Sequence, residues 1–219
     1  MINSNNRKLA LSGWLKENNP REYSTPIKLQ KFLLFYELFS KIDGENSDFS
    51  HLRGYKRGPV FSDVWGDYTK ERYYFDIKAT EQYKDNIEKI NNDRAKLCAF
   101  VVQVLSDTEL SDFTHNMNLW KSKQEKIAQG EKQVSLNIED FNSNDEKMIK
   151  LLKDMYPVSL IDNSVVVELN NFSFVFNKED YKKFTPEHLD SLYAVTQIDK
   201  DLHNPVYVEI DEQGGLLID

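Results

Sequence analysis

The sequence predicts an α+β fold, with a mainly helical body over residues 1–155 and a small, hairpin-containing unit over residues 156–219. Three observations carry this. Apolar residues recur at i, i+3, i+4 and i+7 through much of the first part, the spacing of a helix face. Pro157 marks a change to two-residue alternation, the spacing of a strand. Asn170-Asn171 then separates two β-rich runs with a pair of residues that tolerate positive φ, which is a hairpin signal.

The elements follow in order. Residues 7–18 form a first helix with Leu9, Leu11, Trp14 and Leu15 on its apolar side, stopped by Asn18-Asn19-Pro20. Thr25-Pro26 opens the next helix, a hydroxyl N-cap followed by proline where a missing N–H costs nothing. Leu29, Phe32, Leu33 and Tyr36 line its buried face, and Phe35 and Phe39 widen it. After a polar loop at Asp43–Asp48, Gly58 gives a flexible backbone position and Pro59 begins another helix. That helix should carry Phe61, Val64, Trp65 and Tyr68 on one face, so that Phe32, Leu33, Tyr36, Val60, Val64 and Trp65 share a core. A polar helix from about Glu81 to Asn92, an apolar one from Arg94 to Leu105 and a segment from Thr108 to Trp120 come next. Residues 121–147 read as a solvated helix and surface loop before a helix at Asp145–Met155. Beyond Pro157, residues 165–169 and 172–176 pair around the Asn-Asn turn, and Thr185-Pro186 starts a helix to about Thr196. Val206, Val208 and Ile210 alternate as a further strand, and Gly214-Gly215 turns the chain into Leu216-Leu217-Ile218.

Composition sets the class. Apolar residues make up 40% and charged residues 29%, a balance that suits a globular protein rather than a disordered one. No apolar run approaches the roughly 20 residues needed to span a bilayer, and the first residues lack the apolar core of a secretory signal. A lone cysteine, Cys98, excludes an internal disulfide framework and fits a reducing, cytoplasmic setting. Residues 156–219 hold 12 Asp or Glu against 4 Lys, whereas residues 1–155 balance at 24 and 24, so the whole net charge of −8 belongs to the C-terminal part. Such an excess disfavours binding to nucleic acid or an anionic membrane and suits a basic partner, although solubility alone also accounts for it.

The sequence carries none of the phosphate-loop, nucleophile-elbow or His-Glu-x-x-His metal motifs. The histidines, His51, His115, His188 and His203, are far apart, and Cys98 lies in an apolar stretch where cysteine acts as a small hydrophobe. No catalytic residue, metal or cofactor is expected. Two groups remain as candidates for binding. Arg53, Lys56 and Arg57, with Tyr55 among them, form a small basic set that could meet phosphates or stack on a base, but three cations are few for that, so it either makes a solvated turn, paired to Asp63 or Asp67, or meets an acidic face of a partner. His115, after Thr114 and before Trp120, either hydrogen-bonds the backbone beside a helix start capped by Thr114 or lines a surface groove. Tyr73, Tyr74, Phe75, Trp120 and Phe172 are expected to be partly exposed, as interface anchors are.

Three pieces occur in a fixed order. They are Leu29-Gln30-Lys31 with Leu33-Leu34, then Gly58-Pro59-Val60 with Val64-Trp65, then Leu110 to Trp120 including Thr114-His115. In that order and at those separations they resemble the Panacea domain of SocA-like and GepA-like antitoxins, a family often carried by prophages. The resemblance covers about residues 22–125. The segment from Asp67 to Arg94 is longer and more charged than the family's compact form, and the part after Pro157 has no counterpart in it. The resemblance implies an antitoxin of a toxin–antitoxin system, which neutralises a protein toxin encoded beside it by direct binding or delivers it to a protease, with no catalysis of its own. The alternative is a phage or prophage inhibitor of a bacterial defence system that acts through its acidic surface.

Overall fold

The computed structural model describes residues 1–198 and 202–219. It is mainly helical, as the sequence predicts, with two small sheets of which only the second is expected from it, and divides into two compact units, Met1–Val102 with Asp107–Tyr156, and Gln103–Ser106 with Pro157–Asp219.

The first unit begins with α1 (Asn6–Asn18), α2 (Pro20–Ser24) and α3 (Pro26–Ile42). Asn5 caps α1 by accepting from the Lys8 N–H, and Pro26 takes the first position of α3. Every residue of α3 from Leu29 to Ser40 is buried, so this is a helix covered on all sides. The polar residues inside it are matched in place: Glu37 accepts from Lys8 Nζ at 2.6 Å and from Arg7 Nε at 2.8 Å. Two strands follow, β1 (Leu52–Tyr55) and β2 (Gly58–Phe61), then α4 (Ser62–Lys70) and α5 (Arg72–Asn86). Gly13 lets α1 and α5 approach so closely that a Cβ there would meet the Ala79 carbonyl oxygen. The unit closes with α6 (Asn92–Val104), α7 (Asp107–Asn116), α8 (Asn118–Lys121), α9 (Gln124–Ala128), β3 (Val134–Ser135) and α10 (Ser143–Met155). Its sheet runs β2-β1-β3, all antiparallel.

The second unit contains α11 (Val158–Asp162), β4 (Ser164–Leu169), β5 (Phe172–Asn177), α12 (Lys178–Tyr181), α13 (Pro186–Ile198), β6 (Val206–Ile210) and β7 (Leu216–Ile218). Its sheet order is β4-β5-β6-β7, with β5 and β6 parallel and the other pairs antiparallel. Asn170 and Asn171 have φ of 51° and 70°, so the hairpin turns where the sequence places it. Phe174, Phe176, Leu192, Val206, Val208 and Ile210 form its core, and β6 alternates buried with exposed residues. Among the described residues, no helix is long and apolar enough to cross a membrane.

Several expectations for the first unit are overturned. Gly58-Pro59-Val60 does not start a helix. It is β2, and α4 begins only at Ser62. Pro59 is tolerated because β2 is the edge of its sheet, where a missing N–H breaks no ladder. Val60 and Trp65 are not core residues: Val60 is half-buried, and Trp65, one position on from the buried Val64, is 38% exposed. The polar helix expected at Glu81 starts nine residues earlier, at Arg72, and buries only Phe75 and Ala79. Phe75 and Trp120 are therefore wrongly expected at the surface, whereas Tyr73 and Tyr74 are exposed. Thr114 lies inside α7 rather than capping a helix start.

Candidate functional site

The tip of the β1–β2 hairpin is held by side chains that come from three other helices. From α3, the Gln30 side chain accepts the Phe61 N–H at 2.8 Å and reaches the Phe61 carbonyl at 3.5 Å. An amide side chain thus occupies the free edge of β2, where a further strand would otherwise pair. One residue on, Lys31 is 1% exposed, and its ammonium donates to Thr114 Oγ1 at 2.8 Å and to the Arg57 carbonyl at 3.1 Å. Both acceptors are neutral. Burial without a counter-charge pulls the Lys31 pKa down to about 7.

Helices α7 and α8 hold the other side. The Thr114 hydroxyl faces the carbonyls of Leu110 and Ser111 one turn back. The His115 ring stacks on Trp120 with centroids 4.0 Å apart and hydrogen-bonds the Lys56 backbone. Burial first, then the charge of Lys31, lowers the His115 pKa. Trp120 is 6% exposed, and its Nε1 donates to the Tyr55 carbonyl at 3.0 Å. Gly58 has φ of 101° and sits against Lys31 Nζ, and a Cβ on it would lie 2.6 Å from Thr114 Oγ1. Only glycine satisfies both the backbone and the space.

These contacts leave a groove of about 480 Å³ between the start of α3, the hairpin and α4. Pro26 and Ile27 form one wall, Pro59, Val60 and Trp65 the other, and Lys31, Lys56 and Arg57 supply charge. The sequence-selected residues therefore fall into three roles. Leu29 is core; Gln30, Lys31, Gly58, Thr114, His115 and Trp120 fix the hairpin; and Tyr55, Lys56, Arg57, Pro59, Val60 and Trp65 line the groove together with Gln30 and Lys31. Arg53 lies outside that lining and hydrogen-bonds Ser135 Oγ on β3. The basic set is not paired to Asp63 or Asp67, since Asp67 instead accepts from Asn3 and Ser4 near the N-terminus. Trp120, expected as a contact residue, is buried support.

Sequence reasoning missed the wall formed by Pro26 and Ile27, and it missed Asp107 at the groove's margin. It also missed the meaning of Gln30 and Lys31. Two polar residues inside an otherwise apolar helix are a signal that something polar, here a strand edge and a turn carbonyl, lies against that helix. Other hollows in this unit include one of about 250 Å³ beside Arg7 and Tyr36 and one of about 460 Å³ beside Met1, Tyr74 and Ile77, and neither of these involves the ordered motifs. Cys98 is fully buried, and burial pushes its thiol pKa well up, as for an inert thiol. Among the described residues, no group of three His, Cys, Asp or Glu is placed to hold a metal ion. Set against models of protein families, curated proteins and solved structures, the chain matches none.

Proposed function

We propose that this chain is an antitoxin that neutralises a protein toxin by direct binding, with the toxin encoded by an adjacent gene. The observation that carries the reading is the convergence of the ordered motif residues on one open groove. Residues spread from Gln30 to Trp120 in sequence serve a single hairpin tip, and the groove beside that tip exposes a tryptophan and two cations. An exposed tryptophan beside arginine is the composition of a binding hot spot rather than of a solvated face. In this reading the protein covers the toxin's working surface and contributes no catalytic group, cofactor or metal. The acidic second unit adds electrostatic steering toward a basic toxin.

Co-expression tests this. The neighbouring gene product alone should arrest growth, the pair should restore it, and the two proteins should co-purify. A harmless neighbour with no stable complex contradicts the reading. The confinement of the −8 charge to residues 156–219 also supports a second reading, inhibition of a nucleic-acid-binding defence system. That reading predicts a plating advantage for phage only in hosts that carry such a system.

A further inference from the structure

We infer that the groove receives an acidic segment of the bound partner, an extended stretch in which a carboxylate side chain sits between apolar ones. The carboxylate lies at the Lys31, Lys56 and Arg57 end, and the apolar side chains lie along Ile27, Val60 and Trp65. This rests on the antitoxin reading and names the chemistry of its contact.

Charge is the first argument. The lining carries three cations and one carboxylate, Asp107. Among the described residues, Lys31, Lys56 and Arg57 make no ion pair. Other buried cations of the same unit are matched: Lys8 with Glu37 and Asp48, and Arg94 with Asp43 and Glu45. A buried ammonium with only neutral acceptors is an exception in a chain of net charge −8, and a ligand carboxylate supplies the missing counter-charge. The Arg57 backbone is fixed by Lys31 while its side chain stays exposed, which makes a positioned, solvent-facing cation.

The second argument is the start of α3. This 17-residue helix has no side-chain cap, because the Thr25 hydroxyl donates back to Arg21 instead. Its positive end therefore borders the same groove as Lys31. The third is the apolar wall. Gln30 closes the edge of β2 and Pro59 has no N–H, so strand addition is blocked and recognition falls to side chains. Nucleic acid is a poorer fit, since the cations are few and the net charge opposes it.

The test uses the full chain and two fluorescent heptapeptides, both acetylated and amidated, one alternating leucine with glutamate and the other leucine with glutamine. Fluorescence anisotropy should show the glutamate peptide binding about tenfold tighter or more, the scale of a charge-assisted hydrogen bond. The double variant K56E/R57E should lose that preference, W65A should weaken both peptides, and K84E, on the exposed side of α5, should change nothing. Equal affinity for the two peptides overturns the inference. So do an unchanged preference in K56E/R57E, the absence of binding by either peptide, and a glutamine peptide with a free C-terminus binding as tightly as the glutamate one. The same variants in the toxin co-purification separate the two claims. Peptide selectivity without a toxic neighbour removes only the antitoxin reading, and toxin binding untouched by K56E/R57E removes only this one.

Discussion

The two hairpins of this chain differ in strand length and in what makes the turn. β4–β5 has six-residue strands, and its turn is made by its own residues, Asn170 and Asn171, both at positive φ. β1–β2 has four-residue strands, places a proline on an edge and has its positive φ at Gly58 after Lys56-Arg57. Its tip is held by remote groups, the Lys31–Thr114 bond alone joining residues 83 apart in sequence. A hairpin that makes its own turn takes its support from within its own unit, here Asn204, which donates to the Asn171 carbonyl and accepts the Ser173 N–H, and Thr196, which accepts from Asn170. One held by Gln30, Lys31, Thr114, His115 and Trp120 is fixed in position relative to α3, and that fixed position forms the groove.

Substitutions can break this comparison in order of size. Gly58→Ala imposes positive φ on an alanine and drives its Cβ into Lys31 and Thr114, so it should cost about 3 kcal/mol, from the backbone and overpacking terms together. Trp14, Trp65 and Trp120 are the only tryptophans and all belong to the first unit, so tryptophan fluorescence in urea reports that unit. A midpoint unchanged by Gly58→Ala would mean the tip is not held as described. Gln30→Ala leaves the buried Phe61 N–H without a partner and should cost about 2 kcal/mol in the same measurement.

Lys31→Met sharpens the account through pH. Lys31 titrates near pH 7 in the folded chain and at its ordinary 10.5 when unfolded. Below pH 7 it is charged in both states, and the folded chain bears the full cost of a buried cation. As pH rises above 7 the folded state releases the proton first, that cost falls, and stability rises. His115 on α7 feels the charge of Lys31, with Asp112 close to that ring; Arg57 meets Lys31 through its backbone carbonyl, and Lys56 and Asp107 line the same groove. Cys98, its thiol pKa raised by burial, opposes the trend only from about pH 9 upward, and Tyr36 and Tyr68, raised likewise, oppose it only at still higher pH. Denaturation midpoints between pH 7 and about 9 should therefore climb in the native chain and flatten in Lys31→Met. An identical slope in both would place the titration elsewhere.

Much of this architecture is legible in the sequence where the signal is local. Asn170-Asn171, the alternation of Val206, Val208 and Ile210, and Thr25-Pro26 each specify their element with residues inside it. β1, β2 and β3 are not legible, since strands of four and two residues carry too short a pattern. Gly58-Pro59 reads equally well as a helix start until Gln30 is seen on the edge. Trp65 shows the same limit. Helical spacing groups it with Phe61 and Tyr68, but α4 begins after Phe61 and turns Trp65 outward. The residues of the ordered motifs meet around one hairpin, and only the fold divides them into those that hold it and those that face the groove.

The smaller effects finish the comparison. Asn171→Ala puts an alanine at φ 70° and should cost about 1–2 kcal/mol, leaving the tryptophan-reported midpoint unmoved where the two units unfold separately. Trp65→Ala should cost about 1 kcal/mol or less, well below the 3–5 kcal/mol of a fully buried aromatic, while impairing partner binding. A loss of several kcal/mol would return Trp65 to the core.

Hydrogen exchange on the complex with the neighbouring gene product tests the central claim most directly. The account predicts slowed exchange at the start of α3 and across the hairpin and α4, from Ile27 to Lys31 and from Tyr55 to Trp65, relative to the free chain. Protection confined to residues 157–219, with the groove exchanging as fast as in the free protein, would contradict it.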